Sequence, residues 1–316
     1  MSGNSSVIHY AAPALSARHG VGWGFVGIVA FSLTLPMTRL TAGAGFDPVF
    51  VGCGRAVVAA VLAGLALIAT RTHLPTRGQC ARLLVVAGGV VLGFPLLTAY
   101  ALTSVPASHG AVVIGLLPAA TAAMAVLRGR EKVSASFWAF AGLGAVAVVA
   151  FASVHNSGVG ALRWEDLLLI GAVLAAAIGY AEGGLLAREL GSWQTVSWAL
   201  VLAAPFMSAM TAASLAQGAP SGSVGQWLAF GYLSVVSMYL GFFAWYRGLA
   251  IGPMAHVSQI QLIQPVLTIG WAALLLGEHV GLATGAGAVV VIACAGRAVR
   301  VRTSPVGQAA AGPGPR

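Results

Sequence analysis

Long apolar segments follow one another along almost the whole chain, and short polar loops separate them. Each segment is about 20 residues long, the length that an α-helix needs to cross the hydrocarbon core of a bilayer. The pattern therefore predicts an all-α integral membrane protein with ten transmembrane helices. We place these spans at residues 20–40, 48–70, 83–104, 107–127, 134–154, 165–187, 194–216, 225–247, 253–276 and 280–299.

Residues 102–133 occur twice in the chain. A shift of 147 positions brings nine of them onto identical residues, without a gap, across 32 positions. Each copy has a proline inside an apolar helix and ends at a glutamate: Pro118 and Glu131 in the first, Pro265 and Glu278 in the second. A period near half the chain length predicts two copies of one five-helix unit rather than a solenoid. We assign these four residues a structural role within the repeat.

The duplication divides the chain into two repeats with a linker and two tails. Residues 1–19 lack the basic, apolar and small-residue order of a cleaved signal peptide, and the last residues are rich in Ala, Gly and Pro, a composition typical of disorder. We predict a cytoplasmic tail at 1–19, a first repeat at 20–155, a linker at 156–164, a second repeat at 165–300 and a disordered cytoplasmic tail at 301–316.

Basic residues indicate that the second copy is inverted, as an odd number of spans per copy requires. With a cytoplasmic N-terminus, thirteen of the sixteen Lys and Arg residues lie on the cytoplasmic side, while Arg39 and Arg163 lie outside and Arg55 lies within a span. This bias follows the positive-inside rule. Segment 128–132 carries three Lys and Arg residues, and its counterpart, Leu-Gly-Glu-His at 276–279, carries no Lys or Arg. Inverted repeats of this kind are typical of secondary transporters.

Composition restricts the partners of the chain. It is 59% hydrophobic and 7% charged, whereas soluble domains are about 25% charged, so lipid is the expected surroundings. The net charge of +9 is spread over short loops and tails, which argues against nucleic acid. Cys53, Cys80 and Cys294 are scattered, so we expect apolar packing residues rather than a disulfide or metal site.

Two blocks at the ends of spans four and nine are the most specific part of the sequence. The second block reads Leu-Ile-Gln-Pro-Val-Leu at 262–267 and Leu-Gly-Glu at 276–278, followed by a Gly-rich stretch at 285–296; its counterpart lies at 116–118 and 129–131. Through these blocks the chain resembles the drug/metabolite transporter (DMT) superfamily, in its ten-helix EamA branch, over nearly all of residues 20–299. The resemblance implies a 5+5 inverted bundle, alternating access around a central cavity, and usually export of amino acids or other small metabolites.

Polar residues on span nine are the first candidates for a substrate cavity. Gln261, Gln264 and Thr268 share one helical face with Pro265, and the proline frees a backbone carbonyl. Such a face could hydrogen-bond a zwitterionic or polar solute. The alternative is that the glutamines form hydrogen bonds between helices, worth about 1 kcal/mol each.

Ionisable groups inside apolar runs are functional candidates because lipid penalises them strongly. Arg55 could bind a substrate carboxylate, pair with Glu182, or reach a loop carbonyl. Glu182 is a candidate coupling group, or it lies near the inner end of span six and reaches Arg188 or water. Tyr100 and Tyr180 are further candidates for the cavity wall.

His109 and His256 occupy equivalent positions in the two repeats. Histidine titrates near neutral pH and could couple transport to protons, although a structural hydrogen bond at the helix start is the simpler interpretation. Neither has a second metal ligand at i+4, so we expect no metal site. The aromatic residues at 239–246 predict an interfacial belt, with some of them walling the cavity.

No catalytic residues emerge, since the chain has no GxSxG, HExxH or nucleotide-binding motif. We therefore expect no enzyme activity, no cofactor and no ATP-driven transport. The expectation is a multi-pass protein of the plasma (cytoplasmic) membrane that exports a small-molecule substrate; a homodimer is left open. Two alternatives remain: a polytopic membrane enzyme such as a transferase, and an anion or sugar-phosphate exchanger, which would want more cavity cations than Arg55.

Overall fold

The computed structural model describes residues 14–42, 45–129, 135–155, 163–251, 257 and 260–303, and all regular structure within them is helical. This agrees with the composition, because a helix satisfies its own backbone hydrogen bonds where lipid cannot. The first half contains α1 (Ala14–Ser32), α2 (Thr34–Ala42), a π-helical segment (Phe50–Gly54), α3 (Arg55–Ala69), α4 (Arg77–Val86), a π-helical segment (Ala87–Gly93), α5 (Phe94–Ala101), α6 (Ala107–Ile114), α7 (Leu117–Gly129) and α8 (Ala135–His155). The second half contains α9 (Trp164–Leu190), α10 (Ser192–Gln217), α11 (Val224–Tyr232), a π-helical segment (Leu233–Leu240), α12 (Gly241–Ile251), a 3₁₀ turn (Ile260–Ile263), α13 (Gln264–Leu276) and α14 (Leu282–Thr303).

The lengths of these helices fit a membrane protein. Within the described residues, seven continuous stretches are long and apolar enough to cross a bilayer, and three further apolar helices are shorter. The all-helical membrane class is therefore supported, while the count of ten spans stays a prediction. The seven stretches are His19–Ala42, Phe50–Ala69, Arg77–Ala101, Ala107–Met124, Trp164–Leu190, Ser192–Gln217 and Val224–Ile251, and the three shorter helices are Ala135–Phe151, Ile260–Leu276 and Leu282–Ala298.

Helix starts repeat between the two halves with the same shift of 147 positions. Thr76 and Gln79 form a capping box at the start of α4, in which the Thr76 N–H donates to Gln79 Oε1 at 2.9 Å. Ser223 and Gln226 form the equivalent box at the start of α11, where the corresponding distance is 2.7 Å. Such reciprocal bonds satisfy backbone donors that the first helical turn leaves free. The duplicated sequence thus specifies the same helix start twice.

The π-helical segments at Ala87–Gly93 and Leu233–Leu240 also match by this shift, which carries residues 87–93 onto 234–240. Each is followed directly by an α-helix, and the first amide of that helix donates to a carbonyl five residues back: Phe94 to Gly89, and Gly241 to Val236. A π-helical turn widens a helix locally and is frequent at functional sites. Both repeats therefore widen at the same point.

Glu278 and the basic end of α7 lie at opposite ends of one membrane-crossing stretch. The Glu278 carboxylate accepts hydrogen bonds from the backbone N–H groups of Ala107 and Ser108, at 2.8 and 2.9 Å. These residues begin α6, and the chain continues through α7 to Gly129. We call the side where these bonds form the Glu278 end. In an inverted repeat, equivalent residues lie on opposite sides of the membrane. Glu131 follows α7 in sequence and is equivalent to Glu278, so the end of α7 and the Glu278 end are required to lie on opposite sides.

Further contacts gather other loops at the Glu278 end. Arg39, near the end of α2, donates from Nη1 to the carbonyl of Leu102 at 2.6 Å. The Asp47 carboxylate, just before the first π-helical segment, accepts a hydrogen bond from the Ser214 hydroxyl near the end of α10. The second of these contacts joins one half of the molecule to the other. The halves are thus held together at this end by polar groups.

Glycines permit the closest approach between helices α1 and α12. A Cβ atom at Gly248 would lie 2.7 Å from the backbone nitrogen of Gly24 and 2.9 Å from the carbonyl oxygen of Gly20. Both contacts are with backbone, which cannot move aside as a flexible side chain can. The two backbones touch because neither helix has a side chain at this crossing, the arrangement that small residues provide in membrane proteins.

Gly248→Ala is expected to destabilise the protein by about 1–3 kcal/mol, the usual cost of overpacking. Gly22→Ala is the matched control on α1, because a Cβ there meets no atom within 4 Å. The measurement is the midpoint of thermal unfolding in detergent. Equal midpoints for the two variants would contradict the close helix crossing.

Candidate functional site

A narrow cavity of about 20 Å³, enough for roughly one water molecule, lies between the two halves and takes its wall from both. Two pairs of lining residues are equivalent by the repeat: Val90 with Ser237, and Pro95 with Phe242. Both pairs lie in or directly after the π-helical segments. The described residues that line it are Phe31, Thr34, Leu35, Arg55, Val90, Phe94, Pro95, Ala176, Tyr180, Ser237, Met238, Phe242 and Gln264.

Arg55 is the cation of this cavity. It is the first residue of α3, directly after a π-helical segment, and only 1% of it is exposed. Its Nε and Nη1 atoms are buried and have no hydrogen-bond partner. None of the lining residues within the described part of the chain is acidic. The sequence left open a pair between Arg55 and Glu182 or a bond from Arg55 to a loop carbonyl. Neither Nε nor Nη1 makes such a contact.

Span nine brings one of its three predicted residues to the cavity. Gln264 begins α13 and lines the cavity. Thr268, one turn further on, donates its hydroxyl to the Ser32 carbonyl at 2.8 Å. Gln261 lies in the 3₁₀ turn before α13; it is buried, both of its amide atoms lack a partner, and it does not line the cavity. The predicted polar face is therefore divided between the cavity, a helix contact and an unsatisfied buried amide.

The break before α13 corrects the prediction that the two repeated prolines lie inside apolar helices. Pro265 is the second residue of α13, and Pro118 is the second residue of α7, which starts after α6 has ended at Ile114. Proline is favoured in a first helical turn because its missing N–H would have no partner there anyway. Both copies interrupt the span just before the proline.

Aromatic rings form one side of the cavity. The ring centroids of Phe31 and Phe242 are 4.9 Å apart, and Tyr180 lies 5.9 Å from Phe242 and 6.2 Å from Phe31. Between the two halves of the molecule, the hydroxyls of Thr34 and Ser237 are hydrogen-bonded at 2.8 Å. Tyr180 therefore occupies the predicted region.

Two of the aromatic predictions differ from the structure. Tyr100 is 45% exposed and does not line the cavity. Of the aromatic residues at 239–246, Phe242 lines the cavity, as expected for some of them, whereas Trp245 and Tyr246 are buried in the bundle rather than in an interfacial belt. The Tyr246 hydroxyl donates to the Gly179 carbonyl at 3.2 Å. These rings pack inside the bundle because α12 lies against α9.

Glu182 binds an arginine that the sequence did not single out. Its carboxylate accepts a hydrogen bond from Arg82 Nε, and Arg82 Nη1 also donates to Glu189 at 2.6 Å. Glu182 is 2% exposed, whereas the Glu189 side chain is 45% exposed. Because α4 begins at Arg77, Arg82 lies within a helix rather than in a loop. Glu182 and Glu189 are seven residues apart and therefore lie on one face of α9. This spacing was the sequence signal that the two glutamates could share a basic partner.

His109 also has an acidic partner that was missed. Its Nε2 lies 2.7 Å from Asp166 Oδ1, and both side chains are buried. Asp166 is in the first turn of α9, where its other oxygen accepts a hydrogen bond from the Arg163 N–H at 3.1 Å. This pair joins the two halves. Its partners are 57 positions apart, so no local spacing reveals it.

Two of the predicted residues, His256 and Glu131, lie outside the described residues. Glu278 performs a structural task, because its charge-assisted bonds satisfy free amides at the start of α6. Within the part of the chain that the structure describes, no group of three His, Cys, Asp or Glu residues is arranged to hold a metal ion.

Comparison with known proteins gives one consistent relationship. The model of the EamA-like transporter family matches residues 18–153 and again residues 163–296. The chain is 44% identical over 281 residues to a protein of Bacillus subtilis (strain 168) described as "Uncharacterized transporter YdeK", which covers 88% of this chain and 97% of that protein. A solved structure with 16% identity superposes with a TM-score of 0.61, covering 90% of this chain and 98% of the other, and supports the fold alone.

The two family matches fall on the two copies that the internal repeat defines, and they include every described residue that lines the cavity. Together with the close relative, they establish that this chain belongs to the EamA-like transporter family of the drug/metabolite transporter superfamily.

Proposed function

We propose that the protein is a secondary active transporter of the plasma membrane that exports amino acids or other small polar metabolites. The cavity between the two halves is nearly closed in this structure, and substrate would bind there when alternating access widens it. The observation that carries this proposal is the buried Arg55 guanidinium, which faces a two-sided cavity without an acidic partner. Intramembrane charges mark substrate pathways by default.

Polar contacts at the Glu278 end support alternating access. His109 with Asp166, Asp47 with Ser214, and Glu278 with the start of α6 all connect the first half to the second. In the proposed cycle these contacts hold one end closed and must separate for the cavity to open there. Hydrogen bonds and ion pairs suit this role because they form and break at a fixed geometry.

The charge distribution supports the proposed orientation. The segments assigned to the cytoplasm carry thirteen of the sixteen basic residues, as the positive-inside rule requires. In this orientation both termini are cytoplasmic and the Glu278 end faces outward. Substrate would then enter from the cytoplasmic side, where Arg188 and Arg247 line a wide surface pocket.

Transport is tested by reconstituting the purified protein in liposomes and following a panel of labelled amino acids and small metabolites, with a pH gradient either imposed or collapsed. The proposal predicts that at least one solute crosses chemically unaltered and faster than in protein-free liposomes. A chemically modified product would favour a membrane enzyme instead. Failure of every solute to move would contradict the proposal.

Gln264→Leu is expected to reduce transport while leaving the amount of folded protein unchanged, because it removes an amide that lines the cavity and retains a similar volume. Loss of one hydrogen bond of about 1 kcal/mol corresponds to a roughly fivefold weaker half-saturation. Gln217→Leu, at the exposed last residue of α10, is the matched control. Unchanged flux in Gln264→Leu would count against a role for this side chain in the cavity.

Glu182→Gln is expected to abolish any proton dependence of transport if Glu182 is the coupling group. Glu189→Gln is a close control, because both glutamates bind Arg82 but Glu189 is far more exposed. The measurement is the initial rate of flux as a function of the imposed pH gradient. If both variants keep the wild-type pH response, Glu182 has only a structural role.

A further inference from the structure

The charged residues of the cavity wall indicate which charge a substrate must carry, whereas the size of the cavity does not. Among the described residues that line the cavity, Arg55 is the one Lys or Arg, and none is an Asp or Glu. Arginine keeps its proton under all ordinary conditions. A buried charge without a partner is costly, so this cavity is electrostatically incomplete until an anion enters it.

The shape of the guanidinium indicates which anion. Its planar fork donates two parallel hydrogen bonds and matches carboxylate or phosphate groups. Nε and Nη1 lie on different edges of the guanidinium, each completed by Nη2, and both are buried without a hydrogen-bond partner. A carboxylate that reaches either edge as the cavity widens would therefore meet an unpaired donor. A single cation balances a single negative charge. A phosphate dianion or a dicarboxylate would bring a second negative charge into a wall that has no second cation.

The rest of the wall is mostly apolar. Phe31, Phe94, Met238 and Phe242 would contact a hydrocarbon or aromatic group. Aromatic side chains contribute large apolar surfaces with a preferred ring geometry. An amide, Gln264, and hydroxyls on Tyr180, Thr34 and Ser237 add a few polar contacts. This combination of a few directed polar groups and an apolar wall is typical of small-molecule sites.

We propose that the cavity selects solutes with one carboxylate group and an apolar body, and that Arg55 binds the carboxylate. The inference rests on the proposed transport function and narrows its substrate class. Apolar amino acids and simple monocarboxylates both satisfy it. In an amino acid the ammonium group would face the Gln264 carbonyl oxygen and aromatic faces, since the cavity wall offers no carboxylate to it.

Four labelled probes with the same aromatic ring separate the possible charge rules. They are 3-phenylpropionate, L-phenylalanine, phenethylamine and benzylsuccinate, which carry one carboxylate, a carboxylate with an ammonium, an ammonium alone, and two carboxylates. Flux into proteoliposomes is measured for each, with leakage into protein-free liposomes subtracted. We expect the first two to be transported and to compete with each other. Phenethylamine and benzylsuccinate are expected to neither cross nor compete.

Arg55 itself is tested by Arg55→Gln and Arg55→Lys. The Gln variant should raise the half-saturating concentration of 3-phenylpropionate about tenfold or more, because it removes hydrogen bonds to a charged group. Lys restores the charge without the fork, so partial recovery is expected. Arg77→Gln is the matched control, because Arg77 is exposed at the start of α4 and does not line this cavity.

The outcomes distinguish this inference from the proposed function. If phenethylamine or benzylsuccinate crosses as well as 3-phenylpropionate, carboxylate selection is wrong but transport stands. If none of the four probes crosses while another metabolite does, the substrate class is wrong. If Arg55→Gln folds and transports 3-phenylpropionate like the wild type, Arg55 is not the binding group. Should the variant fail to fold, the wild-type selectivity among the four probes still decides the question.

Discussion

The lack of water inside a bilayer is the constraint on which this structure depends. Every polar group in a membrane-crossing segment must find its partner within the protein. Thr268 and Tyr246 donate to carbonyls of neighbouring helices, and Arg82 binds two glutamates. The unsatisfied groups are therefore informative. Arg55 Nε and Nη1 remain unpaired at the wall of a cavity, where a solute rather than the protein can supply the missing anion.

Duplication explains why this cavity lies where it does. Each copy contributes a capping box and a π-helical segment at equivalent positions, and each interrupts a span just before a proline. The widened segments of the two copies face the same space, which Val90 and Ser237 line as repeat partners. The charged and amide residues are not duplicated, since Leu202 and Leu117 stand opposite Arg55 and Gln264 in sequence. The helical framework around the cavity is therefore present in both copies, whereas its charged and amide side chains are present in only one copy each.

Much of this arrangement could be predicted from sequence because hydropathy and internal repetition are signals with long range. They indicated the helical class and the repeat, and they singled out Arg55, Gln264 and Tyr180, which line one cavity. Contacts between helices were less accessible, because pairing across a bundle leaves no local spacing. The contact between His109 and Asp166 is an example of a pair that the sequence did not reveal. Tyr100 was misplaced because an apolar run does not reveal which side of its helix faces lipid.

The account's central claim is that the second copy crosses the membrane in the opposite orientation to the first. Glu278 caps the start of α6, and Arg128 lies at the far end of α7, which follows α6 along the chain; this is the relation that the claim requires. The direct measurement is labelling of single cysteines at positions 128 and 279, in a protein without Cys53, Cys80 and Cys294, by a membrane-impermeant maleimide on intact cells. The account predicts labelling at position 279 on intact cells and at position 128 only after permeabilisation. Labelling of both positions from the same side would contradict it.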